Sequence, residues 1–151
     1  MVKSWLAFSA VLLVLSGCGN KATEAGALNI TEVTLPGGQK VIAETMLQQI
    51  DQMRGMMFRD SLAQDRGMLF VHPDEGNYPY WMYQVRIPLD IVWMNRARRI
   101  VEISANTPPC PSKNAHECPT FGGHEKAHYV LEMAGGASEK YKLKVGDELT
   151  F

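Results

Sequence analysis

The chain has only three cysteines in 151 residues, no surplus of basic residues and no apolar run long enough to span a bilayer. The paired C-x-x-C spacing of structural zinc sites is absent. The longest apolar stretch, Trp5 to Leu15, falls short of the roughly 20 residues that a transmembrane helix needs. With 15 Lys+Arg against 16 Asp+Glu, the formal net charge is −1, which argues against an electrostatic nucleic-acid binder. There is no G-x-S-x-G and no glycine-rich phosphate loop; the H-E-x-x-H spacing occurs at His124-Glu125-Lys126-Ala127-His128, but it leads into a strand pattern and not along the helix that such a zinc motif needs, so no motif nominates a catalytic centre or a cofactor. Internal repeats, long charge blocks and a second linker are also missing, which leaves one domain.

What is present begins at the N-terminus. Lys3, the apolar run from Trp5 to Leu15 and the small residues Ser16 and Gly17 form the pattern of a secretory signal peptide over residues 1–17. Leu15-Ser16-Gly17-Cys18 resembles the lipobox of bacterial lipoproteins. The alternative is an ordinary signal with a chance cysteine. The chemistry fits lipidation: a thiol accepts a diacylglycerol, and Ser16 and Gly17 let a peptidase reach the bond before Cys18. Two or more acyl chains anchor firmly where one holds marginally. The sequence thus predicts an exported chain, held on the periplasmic or extracellular side by lipid on Cys18, with residues 18–27 as a tether. Removing Lys3 with the signal leaves 14 Lys+Arg against 16 Asp+Glu, a net charge of −2 on about 134 residues.

Export implies an oxidising compartment, where thiols pair. With Cys18 acylated, Cys110 and Cys118 remain, flanking a Pro/Asn/Lys-rich loop. A disulfide between them is expected to stabilise by about 2–3 kcal/mol, a modest amount because the loop is short. The rival is a metal site built from Cys110, Cys118, His116, His124 and His128, whose spacing is not that of zinc sites; no metal is assigned.

Periodicity predicts an α+β, mainly β domain over residues 28–151: a curved or barrel-like antiparallel sheet with one or two short helices. Leu28 to Leu35 and Gln39 to Glu44 read as a hairpin about Pro36-Gly37-Gly38. Thr45 and Gln48 resemble a capping box, opening a helix whose Leu47, Ile50, Met53 and Met57 recur at helical spacing. Pro88 to Met94 is the most apolar strand and is expected to be central. His128 to Met133 alternates well, Ala137 to Leu143 suggests a helix, and Val145 to Phe151 a final strand.

Several segments together resemble one family, the domain of unknown function 192. They are Arg54-Gly55-Met56-Met57-Phe58-Arg59, Gly67-Met68-Leu69-Phe70, Trp81-Met82, Ile87-Pro88-Leu89-Asp90-Ile91, Pro109-Cys110, Cys118-Pro119, Tyr129-Val130-Leu131-Glu132 and Val145-Gly146-Asp147. The resemblance covers about residues 28–151 and implies a compact, mainly β domain with no established activity. Where the family pattern has Lys-Asn-Thr after Trp-Met, this chain has Tyr83-Gln84-Val85, followed by Arg86. A ligand contact made by that lysine would be missing here, or made by Arg86.

Asp90 lies inside an apolar strand, where a carboxylate needs a partner. One reading is a clamp to an arginine or to backbone. The other groups Arg54, Arg59, Trp81, Met82 and Asp90 as the lining of a ligand pocket. An enzyme would draw on His128, Glu132 and Asp90, with His124 nearby in sequence, but no nucleophile motif accompanies them. Eight methionines beyond the initiator, with Trp81, could serve Cu(I), although methionine more often fills irregular cores. The expectation is a small, membrane-anchored binding or accessory module for a small molecule, peptide or envelope protein, without a cofactor and without a role on nucleic acid. One part is directly testable: intact mass should rise by two hydrogens on reduction, and no change would rule out the Cys110–Cys118 bridge.

Overall fold

The structure, a computed structural model, describes residues 29–151. The expected signal peptide (1–17), the lipidation site Cys18 and the tether (18–27) lie outside the described residues.

Strands β1 (Ile30–Thr34) and β2 (Lys40–Met46) form the expected hairpin, with Val33 opposite Val41. Its turn is closed by the Gly38 N–H donating to the Leu35 carbonyl at 2.8 Å. Gly38 has φ of +82°, a conformation that side chains with a Cβ disfavour. The capping box does not form. Helix α1 (Gln49–Arg54) starts beyond Thr45, with Gln48 at its N-cap and no side-chain cap. Thr45 and Met46 are instead held in β2, opposite Leu69 and Phe70 of β3 (Arg66–Gly76). The Thr45 hydroxyl also bonds that of Thr31 across the hairpin at 2.7 Å. A six-residue helix has few bonds of its own, so the ladder wins the contested residues.

β2 runs parallel to β3, with α1 and the following turns as the crossover. The main sheet is therefore mixed, not antiparallel throughout. Adding β5 (Leu89–Met94), β6 (Ile100–Thr107) and β8 (Ala127–Ala134), its order is β1-β2-β3-β8-β5-β6. β4 (Tyr80–Trp81) and β7 (Thr120–Phe121) pair separately, and α2 (Ala137–Lys140) is shorter than the predicted helix. The fold is α+β and mainly β, but the barrel-like expectation is corrected: the sheet is open, with β1 and β6 as its edges. The predicted last strand reduces to isolated bridges, Thr34 with Thr150 and Arg99 with Glu148, which span from one edge to the other at one end.

The core has two layers, one on each face of the sheet. On one, Val33, Val41, Leu69, Val92, Met94 and Leu131 pack beneath the C-terminal segment. On the other, Met46, Met68, Phe70, Ile91, Trp93 and Val130 pack beneath Met56, Met82 and Val85. β3 and β8 are the central pair; β5 lies one place out, although all six of its residues are buried. Helix α1 contributes no buried residue, so Ile50 and Met53 on it, and Leu47 before it, face outward despite their helical spacing.

Cys110 and Cys118 are bonded to each other, so neither sulfur is free for a metal. Asp90 is clamped by backbone rather than by arginine. Its Oδ1 accepts the N–H of Asn106 at 2.6 Å and of Gly136 at 2.9 Å, and its Oδ2 accepts both the N–H and the hydroxyl of Ser138. The carboxyl thus ties β5 to the end of β6 and to the start of α2. Replacing Asp90 with alanine leaves those donors unpartnered, and should lower unfolding free energy by about 3 kcal/mol or more. A chemical-denaturation loss below about 1 kcal/mol would show that the clamp is not structural.

Candidate functional site

A row of side chains crosses the sheet on the α1 side: Glu44 of β2 opposite Met68 of β3, Met68 opposite Glu132 of β8, and Glu132 opposite Ile91 of β5. Glu132 is the one carboxyl at the centre of this row and is only 4% exposed. Its Oε2 is buried and has no hydrogen-bond partner. Burial raises its pKa from the usual carboxyl range to about 8, and the positive charge of Arg59 opposes that rise without cancelling it. Near neutral pH this group is therefore mostly the uncharged acid, able to donate as well as accept.

The turn after α1 covers the row. Gly55, at φ +45°, and Phe58, at φ +66°, reverse the chain, and the Phe58 N–H donates to the Gln84 carbonyl at 2.9 Å. This brings Arg59 onto Glu44 in a two-pronged ion pair, with both bonds at 2.6 Å. The pair lowers the pKa of Glu44 and raises that of Arg59, in each case chiefly through the hydrogen bonds. Beneath the turn lies a pocket of ≈ 380 Å³ whose lining includes Glu44, Met46, Arg54, Met57, Arg59 and Met68. A second cavity of ≈ 30 Å³ shares Arg54, Gly55 and Met57 with it and reaches Glu132, Phe70, Tyr80, Trp81 and Tyr83. The smaller space suffices for a water or two, or for one small polar group.

Beyond Glu132 the same face carries a buried aromatic group. Tyr80 packs edge-on against Phe70 (5.2 Å) and Trp93 (5.8 Å), and its hydroxyl lies 3.2 Å from His72 Nε2. His72 stacks on Tyr78 at 3.6 Å. Burial, and secondarily the nearby His128, lowers the pKa of His72 to about 4. Burial also holds the Tyr80 phenol well above its usual range. The Nδ1 of His128 is buried without a partner.

The residues predicted as pocket lining are thus only partly gathered. Arg54, Arg59 and Trp81 do border these cavities. Met82 is fully buried in the core layer behind them, and Asp90 opens onto the opposite face, in register with Met133. That placement also separates the hydrolase trio: His128 and Glu132 share one face of β8, while Asp90 lies on the other side of the sheet. His124 is at the surface, paired with Glu102 at 2.6 Å. Of the methionines, Met46, Met56, Met68 and Met82 serve as core, and Met94 and Met133 lie in the other layer. Among the described residues, no group of three or more His, Cys, Asp or Glu is arranged to hold a metal. Arg86 pairs with Asp60 at 2.8 Å on the surface and does not line the pocket. Glu44, Met68 and Tyr80 were not anticipated. For Glu44 a signal existed, since it stands two residues before Met46 and so shares its face.

The domain-of-unknown-function 192 family (DUF192, uncharacterized ACR) matches residues 31–151. The chain belongs to this family. No curated protein matches it. Among solved structures, a protein of unknown function from Novosphingobium aromaticivorans DSM 12444 is 28% identical, with a TM-score of 0.69, covering 85% of this chain and 89% of its own. A candidate transcription regulator from Sinorhizobium meliloti 1021 has a TM-score of 0.70 at 23% identity, covering 83% and 97%. At that identity the second likeness speaks to the fold alone. The family's description, uncharacterized ACR, assigns no activity that could be transferred to this chain.

The titration of Glu132 makes a prediction with a definite sign. Its folded pKa, about 8, lies above the ordinary value of 4.5, so its protonated form stabilises the fold most at low pH, and that contribution is lost as pH rises towards 8. His72, lowered from 6.5 to about 4, acts oppositely: its contribution is present above pH 6.5 and lost as pH falls through 4. The two slopes offset each other below pH 6.5, so the clean window is pH 6.5 to 8. There, the stability of the wild type relative to Glu132→Gln should fall with rising pH, by up to about 1.4 kcal/mol per pH unit. Parallel pH curves for the two proteins by denaturant unfolding would refute the raised pKa.

Proposed function

We propose that this DUF192 chain is a non-enzymatic, lipid-anchored binding module of the cell envelope. The ligand seat is the pair of cavities between the turn after α1 and the sheet. The observation that carries this reading is Glu132, a buried carboxyl with an unpartnered oxygen facing a cavity. Such a group costs stability in an empty domain, and a ligand that supplies a hydrogen bond would recover it. The surroundings suit a small molecule with a polar head for Glu132 and an apolar flank for Met57, Trp81 and Tyr83, with Arg54 available to an anionic group. Lipid anchoring is supported by Leu15-Ser16-Gly17-Cys18 and by the position of that tetrapeptide after an apolar run. The separation of Asp90 from His128 and Glu132 disfavours the hydrolase reading.

Two experiments test the two halves. Mature protein purified from membranes should carry a co-purifying molecule, detectable by native mass spectrometry, whose occupancy drops about tenfold in Glu132→Leu for a loss of about 1.4 kcal/mol in binding. Equal occupancy in the variant would refute the seat. The membrane-extracted protein should begin at Cys18 and carry diacylglycerol on that thiol by peptide mass spectrometry, and an unmodified Cys18 would refute the anchor.

A further inference from the structure

The exposed apolar side chains are gathered, not scattered. Of the seven large hydrophobic residues exposed among the described ones, Leu47 (56%), Ile50 (70%), Met53 (60%), Phe58 (49%) and Trp81 (41%) belong to α1, its flanks and the neighbouring β4. Ile30 stands at the start of β1, and only Val145 belongs to the C-terminal segment. Met53 and Trp81 border the same two cavities, and Phe58 lines a neighbouring pocket that shares Arg54 with one of them. Five large apolar side chains exposed on one helix and its neighbours mark a contact surface, whereas Ile30 and Val145 are single exposed residues elsewhere. A contact surface also explains why α1 reverses the usual arrangement, with Leu47, Ile50 and Met53 at three-residue spacing pointing away from the core.

The place of Asn29 bears on what covers the patch. Asn29 is fixed to the domain by its carbonyl, which accepts the Thr45 N–H at 2.6 Å, two residues before Leu47. Cys18 precedes Asn29 by only eleven residues. Eleven residues reach at most roughly 40 Å even when fully extended. We infer that the face bearing Leu47, Ile50, Met53, Phe58 and Trp81 rests on the bilayer to which Cys18 is anchored, with these side chains inserted at the headgroup–acyl boundary. The inference rests on the proposed lipidation. The tether then presents this face to the surface at high effective concentration, so that a weak interfacial contact is enough. Trp81 suits that depth, with an apolar ring and a polar N–H. The surroundings do not form a basic patch: Arg59 is paired with Glu44 and Arg86 with Asp60, and the one further arginine there, Arg54, shares its pocket with Asp51. Insertion is therefore apolar and does not require anionic lipid.

The test uses the mature lipidated protein in phosphatidylcholine vesicles with brominated acyl chains. After signal removal, Trp81 and Trp93 are the remaining tryptophans, and Trp93 is fully buried, its indole N–H donating to the Tyr78 carbonyl at 2.8 Å. The Trp81 signal is the difference between the wild type and Trp81→Phe. Bromolipid should quench it to half or less. The double substitution Ile50→Ser and Met53→Ser, at exposed positions, should relieve the quenching while the protein still floats with the vesicles. A protein that floats with Trp81 unquenched overturns the docked face and leaves the anchor standing. Unquenched Trp81 with cross-linking through the patch assigns the face to a second copy instead, and likewise overturns the inference. A protein that does not float overturns the anchor, and the docked face with it.

Discussion

The constraint on which the rest depends is that β8 lies between β3 and β5 with core on both faces. A carboxyl on or beside such a strand cannot stay hydrated, and must find donors or give up its charge. The chain contains both solutions within one register step. Asp90, facing one layer, receives four hydrogen bonds from three residues and ties β5 to α2. Glu132, facing the other, leaves one oxygen without a partner and keeps its proton into the neutral range. One is a fixture of the fold, and the other is a group in reserve at the floor of a cavity.

The elements around Glu132 follow from local geometry. β2 must cross to run parallel to β3, and the crossover is made by a helix too short to bury anything and by a turn that needs left-handed backbone at Gly55 and Phe58. That turn delivers Arg59 to Glu44, closes the roof of the pocket and leaves α1 with its apolar residues outside. The same economy of helix that forms the seat therefore exposes the patch beside it. The proposed membrane-anchored binding module draws on both features, the cavity and the apolar rim beside Asn29.

Much of this was legible in the sequence where the signal is short-range. Pro36-Gly37-Gly38 marked the hairpin, the alternation from His128 to Met133 marked β8, and removing Cys18 from the thiol count paired Cys110 with Cys118. What was not legible depends on distant partners. Nothing local in Thr45 says that Leu69 will compete for it, and nothing in Asp90 points to Asn106, Gly136 and Ser138 rather than to Arg54 or Arg59. The parallel β2–β3 pairing and the open sheet are likewise long-range outcomes. Of the four residues at helical spacing, Ile50 and Met53 alone fall in α1, with Leu47 before it and Met57 in the turn after it, and Leu47, Ile50 and Met53 face outward.

The protonation state of Glu132 tests the account most directly. With the glutamates labelled with carbon-13 at the side-chain carboxyl, and Glu132→Gln used to assign its resonance, the account predicts a protonated acid at pH 7 that titrates near pH 8. A carboxylate already ionised at pH 7, with a midpoint near the ordinary 4.5, would contradict it.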